Sequence, residues 1–292
     1  MIILLAFPLL ATAAIRGLSF FGIETEYQNF MCTWQHPLDW HVAQIKELNF
    51  THVRVPFSYD YITKGDFSKL DEFFEAVERH QLKVALDFHR LENTHQSAKP
   101  YTDKITFDMF LGAWRTILNR YHQRSVLEAV DIFNEYQSDN YVEWNNLARQ
   151  IVSFIEKDFP NRFIYYVQGV SWGGNLQYVN LTDMLCSHRI QYSIHKYWFS
   201  DKEPLEENWN ISFGPFKPIV NVGEWGFMSN QPNQIVWASR FINWLVSKNI
   251  FDSYFWTWSF NSGDTGGILL EDCTTVDYVK IKMLTDYWSK SN

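Results

Sequence analysis

Basic charge, cysteine and linker composition are all scarce in this sequence, and each scarcity excludes something. Lys and Arg number 25 against 33 Asp and Glu, a formal net charge of −8. With no long basic run, nothing here would attract nucleic acid or an anionic membrane, and neither is expected as a partner. The three cysteines, Cys32, Cys186 and Cys273, share no metal-ligand spacing and form no redox pair. In an oxidising compartment two can bond and one stays free, and the sequence does not choose the pair. His89 and His195 stand in no HxH or HExxH arrangement, so no metal is expected. No Gly/Pro/Ser-rich linker or low-complexity tract divides the 292 residues, which predicts a single domain.

The uncharged, mostly apolar opening MIILLAFPLLATAA is too short to span a bilayer. Its small-x-small pattern at Ala11–Thr12–Ala13 reads as a cleavage site, with a buried first strand as the competing reading. Residues 1–14 are then a signal peptide and 15–292 the mature domain, secreted and free of the membrane after cleavage. Sequons at Asn49, Asn180 and Asn210 fit secretion. What is abundant is aromatic: 13 Trp, 15 Tyr and 24 Phe make up 18% of the chain. Such a surplus serves a bulky core or lines a ligand groove.

Short apolar runs alternate with longer amphipathic stretches along the whole chain. Strands are predicted over Arg16–Glu24, Thr51–Phe57, Leu82–His89, Leu127–Glu135, Arg162–Gly169, Ile190–Tyr197, Pro218–Glu224 and Phe251–Trp258. Between them, stretches such as Leu70–His80 repeat apolar residues at Leu70, Phe73, Phe74 and Val77 with a helical period. Eight strands alternating with helices predict an α/β fold, a (β/α)8 TIM barrel. A doubly wound sheet is the alternative, but no GxGxxG turn follows the first strand.

In such a barrel the chemistry gathers at the C-terminal strand ends. Those ends carry Arg54, His89, Asn134–Glu135, His195 and Tyr197, Glu224, and Trp256 and Trp258. Glu135 and Glu224, on strands four and seven, suit the two-carboxylate chemistry of glycoside hydrolysis, and salt-bridged rim carboxylates are the competing reading. The loop NSGDTGG, residues 261–267, lacks the Lys-Ser/Thr of a phosphate cradle and reads as a tight turn.

At these residues the chain resembles glycoside hydrolase family 5, most of all its subfamily 1 bacterial endo-β-1,4-glucanases. IFNEY resembles the strand-four NEP motif, VGEWG the strand-seven GE(F/W)G motif, RVPFS the strand-two arginine motif and LDFHR the strand-three LDxHR. YSIHKY is similar to a YSxHxY segment, SWGGNL to a WWGGNL loop, and FWTWSFNSGDTGGIL to FWSWNPDSGDTGGIL. The resemblance runs from about Gly17 to Tyr278.

The resemblance implies a retaining endo-β-1,4-glucanase, a cofactor-free monomer acting on β-glucan chains, with Glu135 as acid/base and Glu224 as nucleophile. It implies that Asn134 holds the sugar 2-hydroxyl, Tyr197 hydrogen-bonds the nucleophile and Arg54 orients it. His89 and His195 would contact the sugar at the cleavage subsite. Trp256 would be the stacking platform there, with Trp258 as the alternative of the same strand parity. Trp34 and Trp172 would serve neighbouring sugars. The same mechanism on mannan, mixed-linkage glucan or a glycosylceramide is the nearest rival, and a non-catalytic carbohydrate-binding barrel is a rival of another class. Three features depart from the family. Tyr136 replaces the motif proline, loop three (LENTHQSAKPY) is short, and strand one follows the expected cleavage point almost directly.

Overall fold

The computed structural model describes residues 14–215 and 220–291. The expected signal segment, but for Ala14, and Pro218 and Ile219 of the seventh predicted strand lie outside the described residues. The first half of the chain builds β1 (Arg16–Ser19), α1 (Leu38–Glu47), β2 (His52–Ser58), α2 (Tyr59–Lys64), α3 (Ser68–Arg79), β3 (Lys83–Arg90), α4 (Phe107–Tyr121) and β4 (Leu127–Asp131). There follow α5 (Tyr141–Asp158), β5 (Ile164–Gln168), β6 (Ile190–Tyr197), α6 (Leu205–Ser212), β7 (Val220–Gly226), α7 (Pro232–Ser247), β8 (Ser253–Phe255) and α8 (Tyr278–Trp288). The eight strands are parallel and close in chain order into the predicted barrel.

The alternation of side chains along each strand divides two environments. On β2, Val53, Val55 and Phe57 are buried beneath the helices, while Arg54 between them joins the polar groups of the barrel interior. Helix α3 buries Leu70, Phe73, Phe74 and Val77, the stripe its period predicts. Each such side chain contributes about 1.5–3 kcal/mol by leaving water. Below the polar groups, Ile15, Ala85, Ala129, Tyr166 and Tyr254 form a small apolar cluster, and the hydroxyls of Tyr166 and Tyr254 lie 2.9 Å apart. Gly17 makes room for that plug, because a Cβ there would stand 2.3 Å from the Tyr254 ring.

Three predicted strands run well past the observed ones: the first, expected to reach Glu24, ends at Ser19, and the overruns of the fourth and the eighth bear on the site. β4 ends at Asp131, although Ile132 and Asn134 still donate backbone hydrogen bonds to Tyr166 O (3.2 Å) and Phe88 O (2.9 Å). β8 ends at Phe255, before either tryptophan of the FWTW segment. Helices α4 and α5 secure this rim from outside. Trp114 Nε1 donates to Ile132 O (3.1 Å) and Trp144 Nε1 to Gln168 O (2.7 Å). A disulfide joins Cys32, before α1, to Cys273, after β8, and Cys186 is free and buried.

Candidate active site

Arg54 is fully buried, and a guanidinium inside a barrel is costly unless its donors find acceptors. Its Nη1 donates to Glu224 Oε1 (2.5 Å), Nε to Asp131 Oδ2 (3.0 Å) and Nη2 to Asn134 Oδ1 (2.9 Å). Asp87 Oδ2 lies 3.0 Å from the same Nη2. Burial opposes the charge, but Asp87, Asp131 and Glu224 outweigh it and hold Arg54 above the ordinary arginine pKa. Glu224, carried inside β7, takes its second contact from Tyr197 Oη, which donates to Oε2 at 2.8 Å. Burial, with Glu224 and Glu135 beside it, raises Tyr197 well above the usual tyrosine range, so the phenol remains a donor.

Glu135 reaches the same space by another route. It lies past the end of β4 with φ +53°, a left-handed backbone that costs a side-chain-bearing residue about 1 kcal/mol or more. Its backbone N–H donates to Gln168 Oε1 (2.8 Å), and Gln168 Nε2 donates on to Asp131 Oδ2 (2.8 Å). His195 Nδ1 lies 2.9 Å from Glu135 Oε1 and 3.5 Å from Glu224 Oε2. One carboxylate oxygen of Glu135 is therefore within 4.8 Å of one on Glu224. Burial, opposed by Arg54 and reinforced by Asp264, pushes the Glu135 carboxyl up to about 7. Burial also lowers His195 to about 4, so near neutrality the ring between the two carboxyls is uncharged.

Ligand atoms of Asp87, His89 and Glu224, and of Glu135, His195 and Glu224, approach closely enough to surround a cation. Both sets share Glu224, which already pairs with the Arg54 guanidinium, and that fixed positive charge opposes a metal ion.

His89, Glu135, Trp172, His195, Tyr197, Glu224 and Trp256 line one cavity of about 830 Å³. Trp256 is half-buried there, its ring close to parallel with those of His89 (5.4 Å, 7°) and Phe21 (5.6 Å, 16°). His89 Nδ1 is fixed in turn by Asp87 Oδ2 at 2.7 Å. Arg54 and Asn134 are buried against its lining, Arg54 bonded to Glu224 and Asn134 preceding Glu135. Asn134 Oδ1 accepts from Arg54 and Gln168, and its Nδ2 has no partner among the described residues. Trp34, 65% exposed, does not line this cavity but a separate groove of about 390 Å³, with Tyr27 and Asn261.

Trp258 is the correction. Its side chain is wholly buried, and Nε1 donates to His41 Nδ1 at 3.1 Å, behind the site and away from the cavity. Parity along the strand pointed both tryptophans one way, but β8 ends at Phe255 and the alternation does not continue past it.

Several site residues escaped the sequence reading. Asp131, a partner of Arg54, and Gln168, bonded to Asp131 and Asn134, close the hydrogen-bond network under Glu135, and nothing local in the sequence marks either for that role. Asp264 lines the cavity from the glycine loop. That loop is the tight turn expected: Gly266 has φ +60°, and a Cβ on Gly267 would stand 2.3 Å from the Ser259 backbone. Lys280 of α8 holds it by donating to Thr265 O (2.8 Å) and Gly267 O (2.7 Å).

A family model described as Cellulase (glycosyl hydrolase family 5) matches residues 12–262. An endoglucanase of Paenibacillus polymyxa is 26% identical over 93% of this chain and 82% of its own length. The major extracellular endoglucanase of Xanthomonas campestris pv. campestris is 25% identical over 94% of this chain and 67% of its own. Among solved structures, an endocellulase of Pyrococcus horikoshii in complex with cellotetraose superposes with TM-score 0.84 at 23% identity, covering 94% of this chain and 92% of that one. The catalytic domain of the Xanthomonas enzyme superposes with TM-score 0.83 at 24% identity, covering 94% and 95%. These superpositions establish the shared barrel.

Proposed function

The chain belongs to glycosyl hydrolase family 5 and is a glycoside hydrolase, and we propose that it is a secreted, retaining endo-β-1,4-glucanase with Glu135 as acid/base and Glu224 as nucleophile. The observation that carries the mechanism is the approach of the two carboxyls to within 4.8 Å. Retention needs carboxyls about 5–5.5 Å apart, whereas inversion needs roughly 6.5–9.5 Å to admit a water between carboxylate and sugar.

In the first step a Glu224 oxygen bonds to the anomeric carbon as the bond to the leaving oxygen breaks. The Glu135 proton passes to that oxygen. In the second step water bonds to the same carbon, its proton goes to Glu135, and the bond to Glu224 breaks. A carboxyl raised to about 7 suits the acid, because it holds its proton in weakly acidic solution. Arg54 and Tyr197 hold Glu224 so that one oxygen faces the sugar. Asn134 Nδ2 supplies the donor for the 2-hydroxyl, and Trp256 gives the apolar sugar face a flat surface. Trp172 and Trp34 extend the aromatic contacts to neighbouring sugars.

The glucan specificity is supported by the endoglucanase relatives, one of them described as extracellular. Secretion is further supported by the disulfide, since such bonds persist in oxidising compartments. Hydrolysis of cello-oligosaccharides followed by NMR tests both parts. The β-anomer should appear first, with internal bonds cut. The α-anomer appearing first would overturn retention, and activity confined to mannan would overturn the glucanase assignment.

A further inference from the structure

Tyr136 follows the proposed acid/base directly, and the structure builds around it a contact that a proline at this position has no group to make. The residue is fully buried, with its ring stacked on Trp144 of α5 (5.2 Å, 18°). Its hydroxyl donates to Glu143 Oε2 at 2.7 Å. Glu143 also accepts from Tyr101 Oη (2.7 Å) and from Lys99 Nζ, whose distances to the two carboxylate oxygens are 2.7 and 2.9 Å. Lys99 and Tyr101 belong to the short third loop, so one carboxylate ties that loop, the residue after Glu135 and the first turn of α5 together.

The backbone closes the same arrangement. Gln137 N–H donates to Ala98 O (3.1 Å), and Tyr136 O accepts from Trp172 N–H (3.0 Å) in the fifth loop. Glu135, by contrast, has few holds of its own. Its side chain is 19% exposed, its carboxyl meets His195 alone among the described residues, and its left-handed backbone leans on Gln168. Trp144, under the Tyr136 ring, donates to the backbone of that same Gln168. The segment that aims the carboxyl is thus fixed from its far side.

We propose that Tyr136 and Glu143 are positioning residues for the acid/base, a claim that rests on the reading of Glu135 given above. Their hydrogen bond, seated on Lys99 and Tyr101, holds the Glu135 carboxyl at the leaving oxygen. It has no part in the attack by Glu224. The two residues therefore matter where the leaving group needs a proton and not where it departs as a stable anion.

Tyr136→Phe keeps the ring and removes the hydroxyl. Glu143→Gln removes the charge at the other end of the bond. Each is assayed on cellotetraose, whose sugar leaving group needs a proton, and on 2,4-dinitrophenyl β-cellobioside, whose phenolate does not. On cellotetraose kcat/KM should fall about tenfold, part of the roughly 10²–10⁴ that a general acid supplies. On the dinitrophenyl substrate it should stay within about twofold, which also reports an intact site. An equal fall on both substrates, or no fall on either, overturns the proposal. Glu135→Ala in the same pair of assays separates the two claims. If it discriminates between the substrates and Tyr136→Phe does not, the positioning claim fails alone. If neither discriminates, the acid/base assignment fails with it.

Discussion

Glu224 and Glu135 face one another across His195, yet the chain delivers them in opposite ways. Glu224 sits inside β7, where the sheet fixes its backbone and Arg54 and Tyr197 fix its two oxygens. Glu135 sits beyond the end of β4, on a left-handed backbone secured by Gln168 and by contacts from neighbouring loops. The strand-borne group is held by charge and sheet, and the loop-borne group by a network of hydrogen bonds. That difference matches the chemistry proposed for each. A nucleophile must stay ionised and still, whereas an acid must hold and then release a proton, which burial away from a full counter-charge allows.

Replacing the strand-borne group should have the largest effect. Glu224→Gln keeps the shape and the Arg54 contact but removes the attacking oxyanion, so kcat should fall on the order of 10⁵-fold. Binding of cellotetraose, measured by calorimetry, should survive. A variant that turns over as fast as the parent would show that the nucleophile lies elsewhere.

The loop-borne group should reveal itself through pH. With its pKa raised to about 7, Glu135 carries its proton below that pH and loses it above. On glucan, kcat/KM should therefore decline above about pH 7, approaching tenfold per pH unit. Asp264 contributes a negative charge that favours the protonated form. Removing that charge with Asp264→Asn should move the basic limb to lower pH, by about a few tenths of a unit. A limb that stays in place, or moves upward, would rule Asp264 out as an influence on the acid.

The same division explains what the sequence made legible. Eight apolar runs separated by amphipathic stretches predict the barrel, because each pattern has one way to bury its face. Residues within strands were then read onto the barrel interior from their alternation. Arg54, His89, His195 and Tyr197 project where alternation puts them, whereas Glu224 joins them through a register shift in β7 between Val222 and Trp225, with Gly223 on the same inward face. Legibility failed where the chain leaves the ladder. Trp258 lost its parity once β8 ended at Phe255. Asp131, 77 residues from its partner Arg54, announces no pairing, because burying a charge is a tertiary event. Asp264 depends on the path of a glycine loop, and the partners of Tyr136 on three loops meeting, so neither leaves a periodic trace in the sequence.

Trp258 offers the smallest and most direct test of that boundary. Its indole N–H donates to His41 Nδ1, and His41 Nε2 lies 3.1 Å from Cys32 O, so the neutral ring needs both partners to satisfy both nitrogens. Burial lowers His41 to about 4, which keeps it neutral at working pH. Trp258→Phe would leave Nδ1 buried without a donor, at a cost of about 1–3 kcal/mol. In a chain of this size that is roughly 2–4 °C of Tm for each kcal/mol lost. Activity on cellotetraose should stay within about twofold, since the ring lies behind the cleft. Trp256→Ala should do the reverse, raising KM through loss of the flat surface that His89 and Phe21 hold in place. If Trp258→Phe raised KM and left Tm unchanged, the indole would belong in the cleft, and alternation would extend past the end of β8 after all.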